Sequence, residues 1–433
     1  MKKVKLLAIL IAFPIFIACN SSSGVNPGYD TGKVPHLKEY SNKVILDWNQ
    51  VAFNAMGGAT YQHSLLASRV NAMVHLAMHD ALNAVAPAFK TYALQRRDNS
   101  ADPIAAAATA AYDVLLFSFP DKKTMLDSAL TVSLAEVKNE KKLALGKSLG
   151  KDAAAGIIGL RKDDGALQDP IAPILGTKDP GVYQGVPPME FLFAPFWKTM
   201  KPFGLNKVDQ FRVAPQPAIS SKAYTDGFEE VKKMGDLASK TRSAEQTAYA
   251  KFWYEFSEIG WNRVARTVAA KRNLDLLSTA RVFALLNMAL ADSYTAGWDS
   301  KFHYNFWRPY TAIRNAETDG NNTTSPNKTW EPLMPTPPVQ DYPSTHSALG
   351  NAAATVLAGV FGDKVSFTLA STTADPAAGL TRNFESFSQA SSENADSRVM
   401  AGLHFRFSCN AGLDLGNDVG SWILKNHLQP QGE

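Results

Sequence analysis

Apolar residues along this chain recur mostly with a helical period. The runs Val70–Val85, Ala105–Phe117, Leu126–Leu143, Ala153–Leu160 and Ala280–Thr295 place apolar side chains three and four residues apart. Alternating apolar–polar stretches are few, so the spacing predicts a predominantly helical body. Two segments interrupt the pattern. Residues 169–206 carry seven prolines and residues 320–343 carry six more. Proline-rich stretches of that length in a compact chain act as linkers or as functional loops. The first reads as a loop from an N-terminal helical layer to a C-terminal one. The second leads into the most informative motif of the chain.

The N-terminus follows a different pattern. Lys2, Lys3 and Lys5 precede an uninterrupted apolar run from Leu6 to Ala18. Thirteen residues, Pro14 among them, fall short of the roughly 20 that cross a bilayer, so the segment reads as the apolar region of an export signal. Ala18-Cys19, followed by Asn20 and three serines, resembles a bacterial lipobox, with Phe16 at a position where leucine is usual. The expectation is a signal peptide over 1–18, lipid on Cys19 and a flexible tether over 19–42. A helical bundle over 43–240, including the proline-rich loop 169–206, and a catalytic bundle over 241–433 would follow. Such a chain is exported and held at the cell envelope, periplasmic or outer-membrane anchored, through its N-terminal lipid alone.

Composition narrows the function. The 44 basic and 40 acidic residues leave +4 over 433 residues, much of it in the leader. A near-neutral body offers neither the field that nucleic acid requires nor a polybasic membrane patch, so any anion site must be built locally. Two cysteines, Cys19 and Cys409, exclude a disulfide framework and multi-cysteine metal sites. His75 and His79 lie one helical turn apart, but they sit among Met73, Val74, Leu76 and Met78 with no third ligand evident, and read as structural.

Three segments together describe such an anion site. In the first, Lys301 and Arg308 lie two helical turns apart, with Pro309 marking a helix end or bend at Arg308. A lysine point charge and an arginine fork suit a tetrahedral oxyanion. In the second, Tyr342-Pro343-Ser344-Thr345-His346-Ser347 opens a helix of small residues. Ser344 serves as N-cap, the first-turn amides are free for an anion, and His346 is placed to act as acid or base. In the third, Ser397-Arg398 and His404 add a guanidinium and an imidazole six residues apart, again in a helical setting.

The order Lys-x6-Arg-Pro, Pro-Ser-x-His and Ser-Arg-x5-His resembles the signature of the type 2 phosphatidic acid phosphatase and vanadium haloperoxidase superfamily. Trp298, three residues before Lys301, and the stretch Ala280–Arg314 are similar to the haloperoxidase branch, whose fold is two packed four-helix bundles, all-α. Thr345 stands where glycine is usual, and Ser408 stands four residues after His404, where many relatives carry an aspartate. The second departure weakens the usual orienting of that histidine.

The resemblance implies a vanadate cofactor. His404 would bind vanadium, with Lys301, Arg308, Ser344, the Thr345 amide and Arg398 around the oxygens. His346 and Lys301 would assist hydrogen peroxide, and Trp298 and His346 would flank the halide. The expected reaction is oxidation of halide, iodide or bromide, by hydrogen peroxide to hypohalous acid. Two alternatives stand beside it. One is a phosphomonoester hydrolase with His404 as a phosphohistidine. The other is a non-catalytic anion-binding lipoprotein.

Overall fold

The computed structural model describes residues 37–58, 63–372 and 380–431. The signal segment, Cys19 and the tether up to residue 36 lie outside the described residues. Thirteen α-helices follow in order: α1 (Lys43–Ala55), α2 (Ser64–Val85), α3 (Pro103–Ser118), α4 (Lys123–Leu134), α5 (Glu140–Arg161), α6 (Lys222–Met234), α7 (Ala244–Phe252), α8 (Ser257–Lys271), α9 (Leu276–Tyr304), α10 (Pro309–Arg314), α11 (Thr345–Phe361), α12 (Phe387–Met400) and α13 (Arg406–Asn426). Among the described residues the strands are two short antiparallel pairs, Ile171–Ala172 with Leu192–Phe193 and Phe367–Ala370 with Thr381–Phe384. The protein is all-α, as its helical spacing predicts.

One bundle is built on α2, α3 and α5, flanked by α1 and α4. The other is built on α9, α11, α12 and α13. They meet where α2 packs against α9. Every residue of α2 except Leu66 is buried, as is all of α9 from Leu276 to Lys301. Helices buried on every side lie at the centre of a fold, and the polar residues they bury there need partners. Each central helix also carries an aspartate that fastens a loop through backbone amides. Asp80 on α2 accepts from the amides of Tyr92, Ala93 and Leu94 at 2.6–2.9 Å. Asp292 on α9 accepts from those of Phe203, Gly204 and Leu205 at 2.6–2.8 Å. The second set anchors the end of the proline-rich loop 169–206. That loop crosses the C-terminal end of α9, pairing Val182 with Phe306 and bonding Tyr183 N–H to the Asn305 carbonyl.

Two sequence expectations change. The periodic run Leu126–Leu143 is two helices, because Asn139 caps α5 by accepting from the Lys142 amide. α6 lies in the span expected to belong to the N-terminal bundle, and it packs on α10, α12 and α13.

Close helix packing then sets the site. Gly412 and Gly416 of α13 lie against the first turns of α11. A Cβ there would stand 2.4 Å from the Ser344 carbonyl oxygen and 2.2 Å from that of Ala348. Only glycine lets the two backbones approach this far, and the approach brings the N-terminus of α11 to the turn between α12 and α13.

Candidate active site

Lys301 sits in the last turn of α9, fully buried. Its Nζ donates to the carbonyls of Gln340 at 2.6 Å and Asp341 at 2.9 Å, which leaves one N–H. α9 ends at Tyr304, and Asn305 turns the chain in the left-handed region with φ of 48°. Arg308 therefore lies on the connection before Pro309 opens α10, in extended backbone. Lys301 and Arg308 meet across this turn rather than along one helical face. Arg308 is held by the carbonyls of Val339 (Nε, 2.7 Å) and Leu403 (Nη1, 2.8 Å).

Ser344 is buried and caps α11. Its Oγ accepts from the Ser347 hydroxyl at 3.0 Å, so its own hydroxyl proton remains to be donated. Thr345 and His346, half-buried, form the first turn. Arg398 comes from the last turn of α12, and His404 from the turn between α12 and α13 rather than from a helix. Gly402, at φ of 79°, bends that turn. Arg398 donates from Nη1 to the Trp253 carbonyl at 3.3 Å and stacks over Tyr254, 5.7 Å from the ring centroid. Its buried Nε has no partner among the described residues.

The two imidazoles are fixed differently. His346 Nε2 lies 2.9 Å from the Glu255 carbonyl, which can only accept. His404 Nε2 lies 2.9 Å from Arg308 Nη1, which can only donate. His404 Nδ1 lies 3.0 Å from Asp341 Oδ1, off the line of a good hydrogen bond. Ser408 donates its hydroxyl to the other oxygen of that carboxylate.

These groups lie within electrostatic reach of one another, and Lys301, Arg308, Ser344, Arg398 and His404 are buried. Burial pushes both imidazoles well below the usual histidine range. Arg398 adds most after burial for His346, and Arg308 for His404. Burial likewise depresses Lys301, helped by Arg308 and opposed by Asp341, and it brings Arg398 to about 10. Burial raises the Asp341 carboxyl to about 7, against the pull of Arg308, Ser408 and Lys301. Three crowded cations with one buried carboxylate leave a net positive local field that favours a bound anion.

The structure brings Lys301, Arg308, Ser344, Thr345, His346, Arg398 and His404 to one place. Trp298 lies one turn before Lys301, buried, with its indole N–H given to the Phe193 carbonyl at 3.3 Å. His75 and His79 stay apart from this cluster: His75 Nε2 is bonded by Asn49 at 2.8 Å, and burial lowers its pKa to about 3. Sequence reasoning missed the supports. Trp253 and Glu255, two residues apart, hold Arg398 and His346 through their carbonyls. Tyr183, from the first proline-rich loop, is buried beside Arg308 with its hydroxyl unpartnered among the described residues.

Known proteins carry the same frame. The family model described as the VCPO second helical-bundle domain matches residues 281–431, a span that holds Lys301, Arg308, the Ser344–His346 turn, Arg398 and His404. A bacterial vanadium-dependent iodoperoxidase superposes with a TM-score of 0.79 at 25% identity, covering 91% of this chain and 98% of its own. The vanadium chloroperoxidase of Curvularia inaequalis is 25% identical over 88% of this chain and 82% of its own length. Residues 281–431 match this second helical-bundle domain, and over most of its length the chain is similar to vanadium haloperoxidases.

An apo-type bacterial vanadium-dependent chloroperoxidase shares the fold at 17% identity, with a TM-score of 0.70 over 85% of this chain and 95% of its own. In this chain the carboxylate beside His404 is Asp341, on the segment leading into α11. The residue four places after His404 is Ser408, which bonds that carboxylate.

Proposed function

We propose that this protein is a vanadium-dependent haloperoxidase that oxidises iodide or bromide with hydrogen peroxide to hypohalous acid. The observation that carries the proposal is the donor set. Three buried cations, the Ser344 hydroxyl, the amide end of α11 and the orphaned Arg398 Nε–H surround one imidazole whose Nε2 carries a lone pair. That set fits a tetrahedral oxyanion with one nitrogen-bound position, which describes vanadate. Lys301, Arg308, Ser344, the Thr345 amide and Arg398 would hold its oxygens, and His404 Nε2 would bind the metal. Vanadate supplies a Lewis acid that activates hydrogen peroxide for two-electron oxidation of halide without changing its own oxidation state.

The chain's own groups handle the protons and the charge. His346 gives its Nε2–H to Glu255, so Nδ1 is the base available to hydrogen peroxide. Kept neutral by burial, it takes the proton that peroxide loses and returns it to the oxygen that leaves as water. The third N–H of Lys301 stabilises negative charge on the reacting oxygens. Trp298, its N–H already committed, offers a halide only its ring. Val339, five residues before Ser344, gives its carbonyl to Arg308 and leaves only a small side chain. Iodide, the most readily oxidised halide, is the first substrate to test.

The leader supports export and lipidation at Cys19, which would tether the catalytic body to the cell envelope; no helix among the described residues is long and apolar enough to cross a membrane. Mass spectrometry of the mature N-terminus checks this. The catalytic proposal is tested by steady-state iodide oxidation in the presence and absence of orthovanadate. Activity that requires vanadate and saturates with peroxide supports it. Activity unaffected by vanadate removes it.

A further inference from the structure

His404 has two ring nitrogens, and the structure decides which one bears the proton. Arg308 contains only donors, so its Nη1, 2.9 Å from Nε2, requires a lone pair there. In the neutral ring the proton then sits on Nδ1. Nδ1 is buried, lies 3.0 Å from Asp341 Oδ1, and neither atom has another partner among the described residues. The two atoms are within hydrogen-bond range of each other but off the line of a good bond.

The carboxylate is itself fixed from several sides. Ser408 donates to Oδ2. The Asp341 amide donates to the Phe306 carbonyl at 3.0 Å, and the Asp341 carbonyl receives Lys301 Nζ. The main chain of Ser408 is tied to the same segment, its carbonyl accepting from the Ser344 amide at 2.9 Å. Asp341 is fully buried.

We infer that Asp341 is the positioning residue for His404: its carboxylate, steadied by Ser408, holds the Nδ1–H tautomer and turns Nε2 into the anion cage. The inference rests on the vanadate reading above for its consequence, but the tautomer itself does not depend on vanadate. A carboxylate on the far nitrogen of a metal-binding histidine fixes the ring and raises its basicity. Removing such a partner typically costs about 10–100-fold in metal affinity. Here the carboxylate arrives from the α11 side of the site, through residues 341 and 408 acting as a pair.

The test uses full-length protein with 15N-labelled histidine. Proton–nitrogen spectra without added vanadate read the His404 Nδ1–H, and equilibrium binding reads orthovanadate affinity. Wild type is expected to show a slowly exchanging, downfield Nδ1–H on His404. Asp341→Ser should lose that signal and bind vanadate about 10–100-fold more weakly. Adding Ser408→Asp to Asp341→Ser returns a carboxylate from the other side of the pair and should restore the signal and most of the affinity. If Asp341→Ser does not fold, Ser408→Ala, which removes only the hydroxyl bond, should shift the signal upfield and weaken binding several-fold.

A wild type without the Nδ1–H signal overturns the inference, whether or not vanadate binds. So does an Asp341→Ser protein that keeps both the signal and the affinity. A wild type that shows the carboxylate-bound proton but holds no vanadate supports the positioning role and contradicts the proposed function instead.

Discussion

His346 donates its Nε2–H to the Glu255 carbonyl across 2.9 Å, and that contact leaves Nδ1 as the nitrogen with a free lone pair. Glu255 is in turn clamped by its side chain. Its carboxylate takes Arg263 at 2.6 and 2.8 Å and the Thr372 amide at 2.6 Å. The base is therefore aimed by backbone that a buried ion pair holds still. Burial and the neighbouring Arg398 push this imidazole well below the usual range, so it is neutral at neutral and mildly acidic pH. The acid limb of the turnover profile is expected below pH ~6.5, the ordinary histidine value. His346→Ala should lower turnover about 10²–10⁴-fold while vanadate affinity changes little. A kcat–pH profile of wild type and variant, with vanadate binding alongside, checks both.

Arg398 is a buried cation without a carboxylate partner in the described structure, held by one carbonyl and one aromatic face. Its place makes sense for an anion and costs the anion-free fold. Arg398→Met, which keeps most of the volume, should weaken vanadate by about 10–100-fold, corresponding to the roughly 1.5–3 kcal/mol of a charged hydrogen bond. The melting temperature without anion should stay the same or rise. Vanadate titration together with thermal melts in its absence separates these effects.

Much of this was legible before the fold. The helical period of Val70–Val85 and Ala280–Thr295 predicts α2 and α9, and Lys301, Arg308, Ser344, His346, Arg398 and His404 stand in three short segments. What sequence spacing misjudged was geometry at helix ends. The chain from Lys301 to Arg308 reads as one helical face, but Asn305 in the left-handed region ends α9 first. Ser408 reads as a weakened site, because nothing in sequence distance shows that residue 341 reaches residue 404; that contact is made in three dimensions, where α11 and α13 pack closely. The support from Trp253 and Glu255 is also hidden, since it runs through main-chain carbonyls that any residue type provides.

Asp292 ties the proline-rich loop to the centre of the fold through three amides. Asp292→Ala removes the carboxylate and leaves those buried N–H groups without an acceptor. The expected loss is about 3–5 kcal/mol of unfolding free energy, since unsatisfied buried donors cost roughly 1–3 kcal/mol each and the loop relaxes in part. Urea unfolding at fixed pH measures it.

His75 gives a pH signature of stability. Burial, then Arg266, lowers its folded pKa to about 3, whereas an unfolded histidine titrates near 6.5. Between those values the unfolded chain binds the extra proton, so stability is complete above pH ~6.5 and falls as pH drops towards 3. The single site accounts for up to about 5 kcal/mol over that window. His75→Gln should flatten the acid side of the curve by about one proton. Chemical unfolding of both proteins from pH 7 to 4 checks the slope.

The most direct measurement pairs two assays on one preparation: iodide oxidation by hydrogen peroxide after incubation with orthovanadate, and hydrolysis of a phosphomonoester by the vanadate-free protein. Vanadate-dependent iodide oxidation with negligible hydrolysis is the expected result. Hydrolysis that vanadate inhibits, without iodide oxidation, would contradict the haloperoxidase reading and make His404 a nucleophile towards phosphorus.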